Sequence, residues 1–293
     1  MKKTMGQRYF TIINATLLII ASVLALYPIL YVLFASFSDP AMFAKHTGLL
    51  FKPEGFSLEA YKAVFEKQEI FTGYKNTIIY LVAGTFINLL FTVSLAYVLS
   101  RPYLYWQKFM MVFVVFTMYF NGGLVPTYLL VQNLGLADTR WAILLPTAIN
   151  TFNLILMRNG FMGIPVSLEE AAKIDGASPL QSLVKIILPL SMPTIAVVVL
   201  YYGVAHWNSW FQAMIYLRDQ ELYPLQLFLR DILLNKDTTS TDMVVNAAGG
   251  SQDALFEVVK HSTIIVSTVP ILVLYPFLQK YFVQGVMIGA VKG

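Results

Sequence analysis

The sequence predicts an all-α integral membrane protein with six transmembrane helices, and three observations carry that reading. Hydrophobic residues fill 57% of the 293 positions and charged residues only 12%, about half of the ~25% usual in a soluble domain. The mean hydropathy is +0.66. The charges are also clustered, leaving windows at 9–38, 76–100, 109–137, 141–157, 186–217 and 261–279 with no Asp, Glu, Lys or Arg. A spanning helix needs about 20 apolar residues, with roughly 17 as a lower limit. Each window therefore holds one span, and 1–293 reads as a single transmembrane domain.

In chain order, the spans fall at roughly 11–37, 76–100, 109–132, 141–157, 186–212 and 261–282. The first window is too long for a signal-peptide core. It runs into Ser38, Asp39 and Pro40 instead of a small-residue cleavage site, so it reads as retained. The fourth is the shortest. The fifth is longer than one crossing requires, so its second half is expected to tilt or leave the membrane. An even number of spans puts both termini on one side. Lys2, Lys3 and Arg8 precede the first span with no acid among them, which favours a cytoplasmic start. On this topology 158–185 is a cytoplasmic loop, and 38–75 and 213–260 are external segments. Both external segments are amphipathic: Leu58, Tyr61 and Phe65, and Leu222, Leu225 and Leu229, recur at three- and four-residue steps.

Several function classes are excluded. The chain has no cysteine, so disulfides and thiolate chemistry are absent. His46, His206 and His261 are far apart and show no ligand spacing, so no metal site is expected. The 20 basic residues are spread along the chain without a patch suited to nucleic acid. Ion-coupled transporters and intramembrane proteases place ionisable groups within the bilayer, and these spans carry none apart from His206 and, at an edge, His261. No phosphate-binding G-x-x-x-x-G-K-[ST] loop occurs. The chain is not expected to be an enzyme, and no catalytic residue is assigned. If it moves a solute uphill, the energy must enter from another chain.

Polar and aromatic groups remain within the spans: Asn88, Asn121, Asn150 and Asn153, and the run His206, Trp207, Asn208, Ser209, Trp210, Phe211, Gln212. Amides and rings suit a sugar, whose hydroxyls take hydrogen bonds and whose C–H faces stack. Asn121, Asn150, Asn153, His206, Trp207, Asn208, Trp210 and Gln212 are therefore candidates for a substrate pathway. The structural alternative stands beside it, because Asn commonly bonds a neighbouring helix and Trp commonly marks the headgroup interface.

The stretch 167–193 looks built for docking. Ser167 with Glu170 reads as a capping box, and so does Ser178 with Gln181, with Pro179 at the first helical position. Gly176 lies between them, where a left-handed exit costs least. A short helix, a glycine turn and a second helix running into the fifth span are expected. Leu168, Ala171 and Ala172 give the first helix a face of small and apolar residues.

Glu170, Ala171 and Ala172, then Gly176, then Ile186, Leu188 and Pro189 reproduce the EAA---G---------I-LP loop of permease subunits from binding-protein-dependent ABC importers. The chain resembles that family over essentially its whole length. Its tail from Pro276 to Gly293 is similar to that of the maltose-type sugar permeases, and within them the tail and the GFSLEAYKAVF segment look like the LplC branch. The resemblance implies a type I ABC importer permease fold and import of an oligosaccharide. Its partners would be a second, homologous permease, a cytoplasmic ATPase dimer that holds the ATP and Mg, and an extracytoplasmic solute-binding protein. This chain would bind no cofactor, and it would sit in the bacterial cytoplasmic membrane. The loop's first helix would be a coupling helix, with Ala171 and Ala172 in close contact with the ATPase, Gly176 aiming it and Pro189 bending the fifth span. Glu170 has two compatible readings, as capping-box partner or as ion-pair partner of an ATPase basic residue. Val291, Lys292 and Gly293 match the tail positions that reach towards the ATPase dimer. Substrate residues do not carry over from the resemblance.

Overall fold

The computed structural model describes residues 5–234 and 252–290, and is helical almost throughout. Among these residues the one β pairing is an isolated bridge between Ser38 and Phe56. The helices follow as α1 (Met5–Ser36), α2 (Pro40–Phe43), α3 (Glu59–Phe65), α4 (Gln68–Ser100), α5 (Gln107–Tyr119), α6 (Leu124–Asn133), α7 (Trp141–Leu144) and α8 (Thr151–Met162). Then come α9 (Val166–Ile174), α10 (Pro179–Ser182), α11 (Leu188–Leu190), α12 (Met192–Trp207), α13 (Trp210–Tyr216), α14 (Leu225–Leu234) and α15 (Gln252–Ala290). A π-helical turn, Leu183–Ile187, joins α10 to α11. The described residues fall into two compact units, one of 5–68, 231–234 and 252–270, the other of 69–230 and 271–290.

The helices α1 and α4 and the stretch Asp253–Val273 of α15 are each long and apolar enough to cross a membrane. Along α1 the side chains of Ile12, Leu17, Ile20 and Leu24 are exposed. The other windows are interrupted. Helices α5 and α6 meet at a 108° bend, where Gly123 adopts φ +88° and the Asn121 side chain accepts a hydrogen bond from its N–H. The stretch Pro179–Leu190 meets α12 at an 85° bend. That bend falls at Ser191, between Pro189 and Pro193, where the proline nitrogens cannot donate to the helix ladder. The window 141–157 is also not one helix, since α7 stops before Pro146 and the chain re-enters a helix only at Thr151.

In the first unit, the end of α1 is tied to the helices that follow it. Ser36 Oγ lies 2.8 Å from Tyr61 Oη on α3, and Ser262 Oγ on α15 donates to the Ser36 carbonyl at 3.2 Å. In the second unit, α4 is the axis. One apolar core joins Ala96, Tyr97 and Leu99 of α4 to Leu154, Met157 and Phe161 of α8, Leu183 and Ile187 of the π turn, and Val198 and Tyr202 of α12. A second core gathers Tyr80, Ile143, Leu144, Ala213, Leu217 and Leu227 around the other half of α4. At that half the backbone of 221–225 is held by side chains of α4. Asn76 Nδ2 donates to the carbonyls of Glu221 and Tyr223 at 2.7 and 3.1 Å, Tyr80 Oη donates to Leu222 O, and Leu225 N–H donates to Thr77 Oγ1. Leu225, on the apolar face of the amphipathic 213–260 segment, is fully buried here.

Candidate functional site

Two places in the second unit gather the residues singled out in the sequence. The first is the α9 loop. Helix α9 begins at Val166 with Pro165 at its N-cap position and no side-chain cap, so Ser167 is not a cap and the Ser167–Glu170 capping box does not form. A proline at φ −56° and ψ 127° already sets the extended entry, and Ser167 falls inside the first turn. The second box does form: Gln181 N–H donates to Ser178 Oγ, and Ser178 N–H donates to Gln181 Oε1. Gly176 turns the chain at φ +86°, in the region that L-residues avoid. Glu170, Ala171 and Ile174 are exposed, and Ile174 is 87% accessible. Ala172, Ile186 and Leu188 are half-buried and Pro189 is exposed.

The neighbouring acid, Glu169, is engaged within the chain itself. Its carboxylate turns back to the end of α4, where Oε1 accepts from Tyr97 Oη at 2.7 Å and Oε2 pairs with Arg101 Nη1. Arg101 is itself buried, with Nε donating to Ser100 Oγ at 3.1 Å and Nη2 to the Phe161 carbonyl at 3.4 Å. Its guanidinium lies 5.0 Å from the centre of the Tyr97 ring. The signal for this was an acid one position before the EAA run and an arginine just past an uncharged window. Spacing alone could not join them.

The second place is a cavity of ≈ 480 Å³, within the 300–1,000 Å³ range of small-molecule sites. Four predicted residues line it: Asn150, Asn153, His206 and Gln212. Phe152, Tyr201, Tyr202 and Ser209 join them, with the Phe152 and Tyr201 rings edge to face at 5.8 Å. No lining residue carries a fixed charge. The positions Tyr202, His206 and Ser209 recur at helical spacing, which is the pattern that marks one wall. Asn150 caps α8, accepting from Asn153 N–H at 3.1 Å, while its own N–H donates to Tyr202 Oη at 3.0 Å. The other four candidates lie elsewhere. Asn121 is in the α5–α6 bend, Trp207 is buried in packing, and Asn208 is exposed and bonded to Val204 of its own helix. Trp210 carries the Arg230 guanidinium over its ring at 5.3 Å.

Asn88 turns out to be structural. Its Nδ2 donates to the carbonyls of Thr147 and Ala148 at 2.6 and 2.9 Å, in the gap between α7 and α8, and its Oδ1 lies 2.6 Å from His206 Nε2. One amide thereby satisfies irregular backbone and orients the histidine of the cavity wall. Non-helical backbone within a membrane protein persists where it is buried against such partners or lines a cavity. The Val291–Gly293 tail positions lie outside the described residues. Among the described residues no group of His, Cys, Asp or Glu is placed to hold a metal ion.

A helical membrane protein with an uncharged cavity lined by amides, hydroxyls and rings fits the class of transport permeases. The chain is a member of the family described as binding-protein-dependent transport system inner membrane component, whose pattern matches residues 70–288. It is similar to the protein LplC of Bacillus subtilis (strain 168), 40% identical over 295 residues that cover 100% of this chain and 98% of that one. It is also similar to the polygalacturonan/rhamnogalacturonan transport system permease protein YtcP of the same organism, 39% identical over 289 residues, 99% of this chain and 100% of that one. A crystal structure of a bacterial ABC transporter involved in the import of the acidic polysaccharide alginate contains a chain that superposes with a TM-score of 0.90. That chain is 37% identical, and the match covers 96% of this chain and 99% of that one.

Proposed function

We propose that this chain is one permease subunit of an ATP-driven importer for a uronate-containing oligosaccharide. It lies in the bacterial cytoplasmic membrane with both termini inside. A solute-binding protein delivers the sugar from outside. A second, homologous permease completes the pathway, and a cytoplasmic ATPase dimer holds ATP and Mg. The observation that carries this reading is the α9 loop, whose EAA sequence is folded as an exposed helix ending in a left-handed glycine. The full-length likeness to YtcP and to the alginate importer's chain supports the acidic sugar class.

In this mechanism α9 sits in a cleft of the ATPase. Ala171 allows close approach, and Glu170, exposed and free of the capping role, is available to a basic residue of the partner. Closure of the ATPase dimer draws the two coupling helices together and turns the spans outward. Hydrolysis resets them. The cavity offers amides, hydroxyls and rings to pyranose hydroxyls and C–H faces. Its uncharged lining leaves the carboxylates of a uronate to the sister permease or to water. The test is uptake of trigalacturonate by the assembled complex in proteoliposomes, with maltotriose as the neutral comparison. Uptake should persist with an uncoupler while ATP is maintained, and Ala171→Leu should abolish it with the chain still inserted. Collapse with the uncoupler would indicate ion coupling, and unchanged uptake by Ala171→Leu would remove the coupling-helix assignment.

A further inference from the structure

We propose that Glu169, Arg101 and Tyr97 form a clasp that makes α9 and α4 move as one body, so that α4 is the strut carrying motion from the coupling helix to the 221–225 segment gripped at its other end. The inference rests on the coupling reading of α9 given above and adds the route by which its displacement leaves the loop.

Three observations support it. The ion pair is withdrawn from water, with the Arg101 and Glu169 side chains 8% and 13% accessible. Both carboxylate oxygens are engaged, one by Tyr97 and one by Arg101. The guanidinium is also anchored on the scaffold side, to Ser100 and to the Phe161 carbonyl. An exposed, flexible ion pair would slide under load. A buried pair that is hydrogen-bonded on every side has one geometry, and separating it leaves an uncompensated charge. By contrast, the rest of α9 is weakly held, because none of its residues is buried.

The other end of α4 is held as firmly. Asn76, Thr77 and Tyr80 bind the backbone of 221–225, and Arg140 Nη2 donates to Asn76 Oδ1 at 3.1 Å. Between Asn76 and Arg101 the chain is helical up to Ser100, a rod of roughly 38 Å at 1.5 Å per residue. An unbroken helix gripped at both ends transmits displacement. The routes through α8 and α12 contain the break at 145–150 and the 85° bend, either of which can absorb it.

Because the chain has no cysteine, single introduced pairs can carry spin labels. Labels at exposed Ser94 on α4 and Lys173 on α9 report the clasp directly, in the full complex reconstituted with its ATPase, without nucleotide and with ATP plus vanadate. The labelled parent should show one narrow distance in both states. Glu169→Gln, and more mildly Tyr97→Phe, should lose that single distance and become nucleotide-dependent, while the ATPase still co-purifies. A single unchanged distance in both variants would overturn the clasp. If Glu169→Gln fails to insert, Tyr97→Phe, which removes one hydroxyl and keeps the ring, decides alone. Ala171→Leu separates the two readings. If uptake is unchanged in that variant, the coupling reading itself has failed, whatever the labels report.

Discussion

Replacing Asn88 by Leu should be the most costly single change among the four asparagines noted within the spans. The perturbation removes two donors and one acceptor from a place where the backbone between α7 and α8 has no helical partners. The carbonyls of Thr147 and Ala148 lose their hydrogen bonds, and His206 Nε2 loses the oxygen that fixes its ring. Hydrogen bonds between helices in membranes average about 0.6 kcal/mol and reach about 1.7. Three such bonds lost together give about 2 kcal/mol at the average and about 5 at the upper limit. The desolvation cost of leaving a carbonyl unpaired, about 1–3 kcal/mol each, points to the upper half of that range. Thermal unfolding of the detergent-solubilised chain measures it, with Asn208→Ala as the comparison. Asn208 is exposed and bonds only within its own helix, so its loss should be near zero. A loss below about 0.5 kcal/mol for Asn88→Leu, within the range of an ordinary surface change, would show that the irregular stretch is not held by this amide.

Gly176→Val should destabilise the turn after α9 by about 1–2 kcal/mol, the cost of a left-handed conformation for an L-residue, or more for a β-branched one. No atom lies within 4 Å of a side chain added there, so the effect is conformational, and Gly176→Asn should be tolerated better; uptake at matched membrane levels distinguishes the two. Asp138, at φ 57°, accepts from the backbone N–H groups of Asp219 and Arg218. Those bonds hold its carboxyl below the usual carboxylate value. A depressed folded value means that its contribution is complete above the ordinary carboxylate pKa and is lost as pH falls through the folded one. Proteolysis near 217–219 should therefore increase below about pH 4, and Asp138→Ala should remove that dependence.

The fold class was legible because the bilayer makes charge placement nearly binary, and six uncharged windows need no tertiary information. The EAA loop was legible because its positions lie close together in sequence and Gly176 and Ser178 act on their own backbone. What sequence could not do was sort like residues by partner. Asn88 holds the backbone between α7 and α8, Asn150 caps the start of α8 and Asn208 bonds back into α12, yet one chemistry and one environment type describe all three. Glu169 and Glu170 are adjacent, and helical geometry sends one to Arg101 and leaves the other exposed. The failed capping box has the same origin, since Pro165 claims the helix start through its own dihedral and Ser167 arrives too late.

By itself, then, the sequence determined what depends on local periodicity and on solvation: the helices, their apolar character and the glycine turn that follows α9. Only the tertiary structure decided that the window 141–157 is broken, that four of the eight pathway candidates share a cavity, and that α4 is gripped at both ends. Those features rest on contacts between residues 52 to 148 positions apart. A side chain's own type says that it needs a partner, and the packing of distant helices says which one it gets.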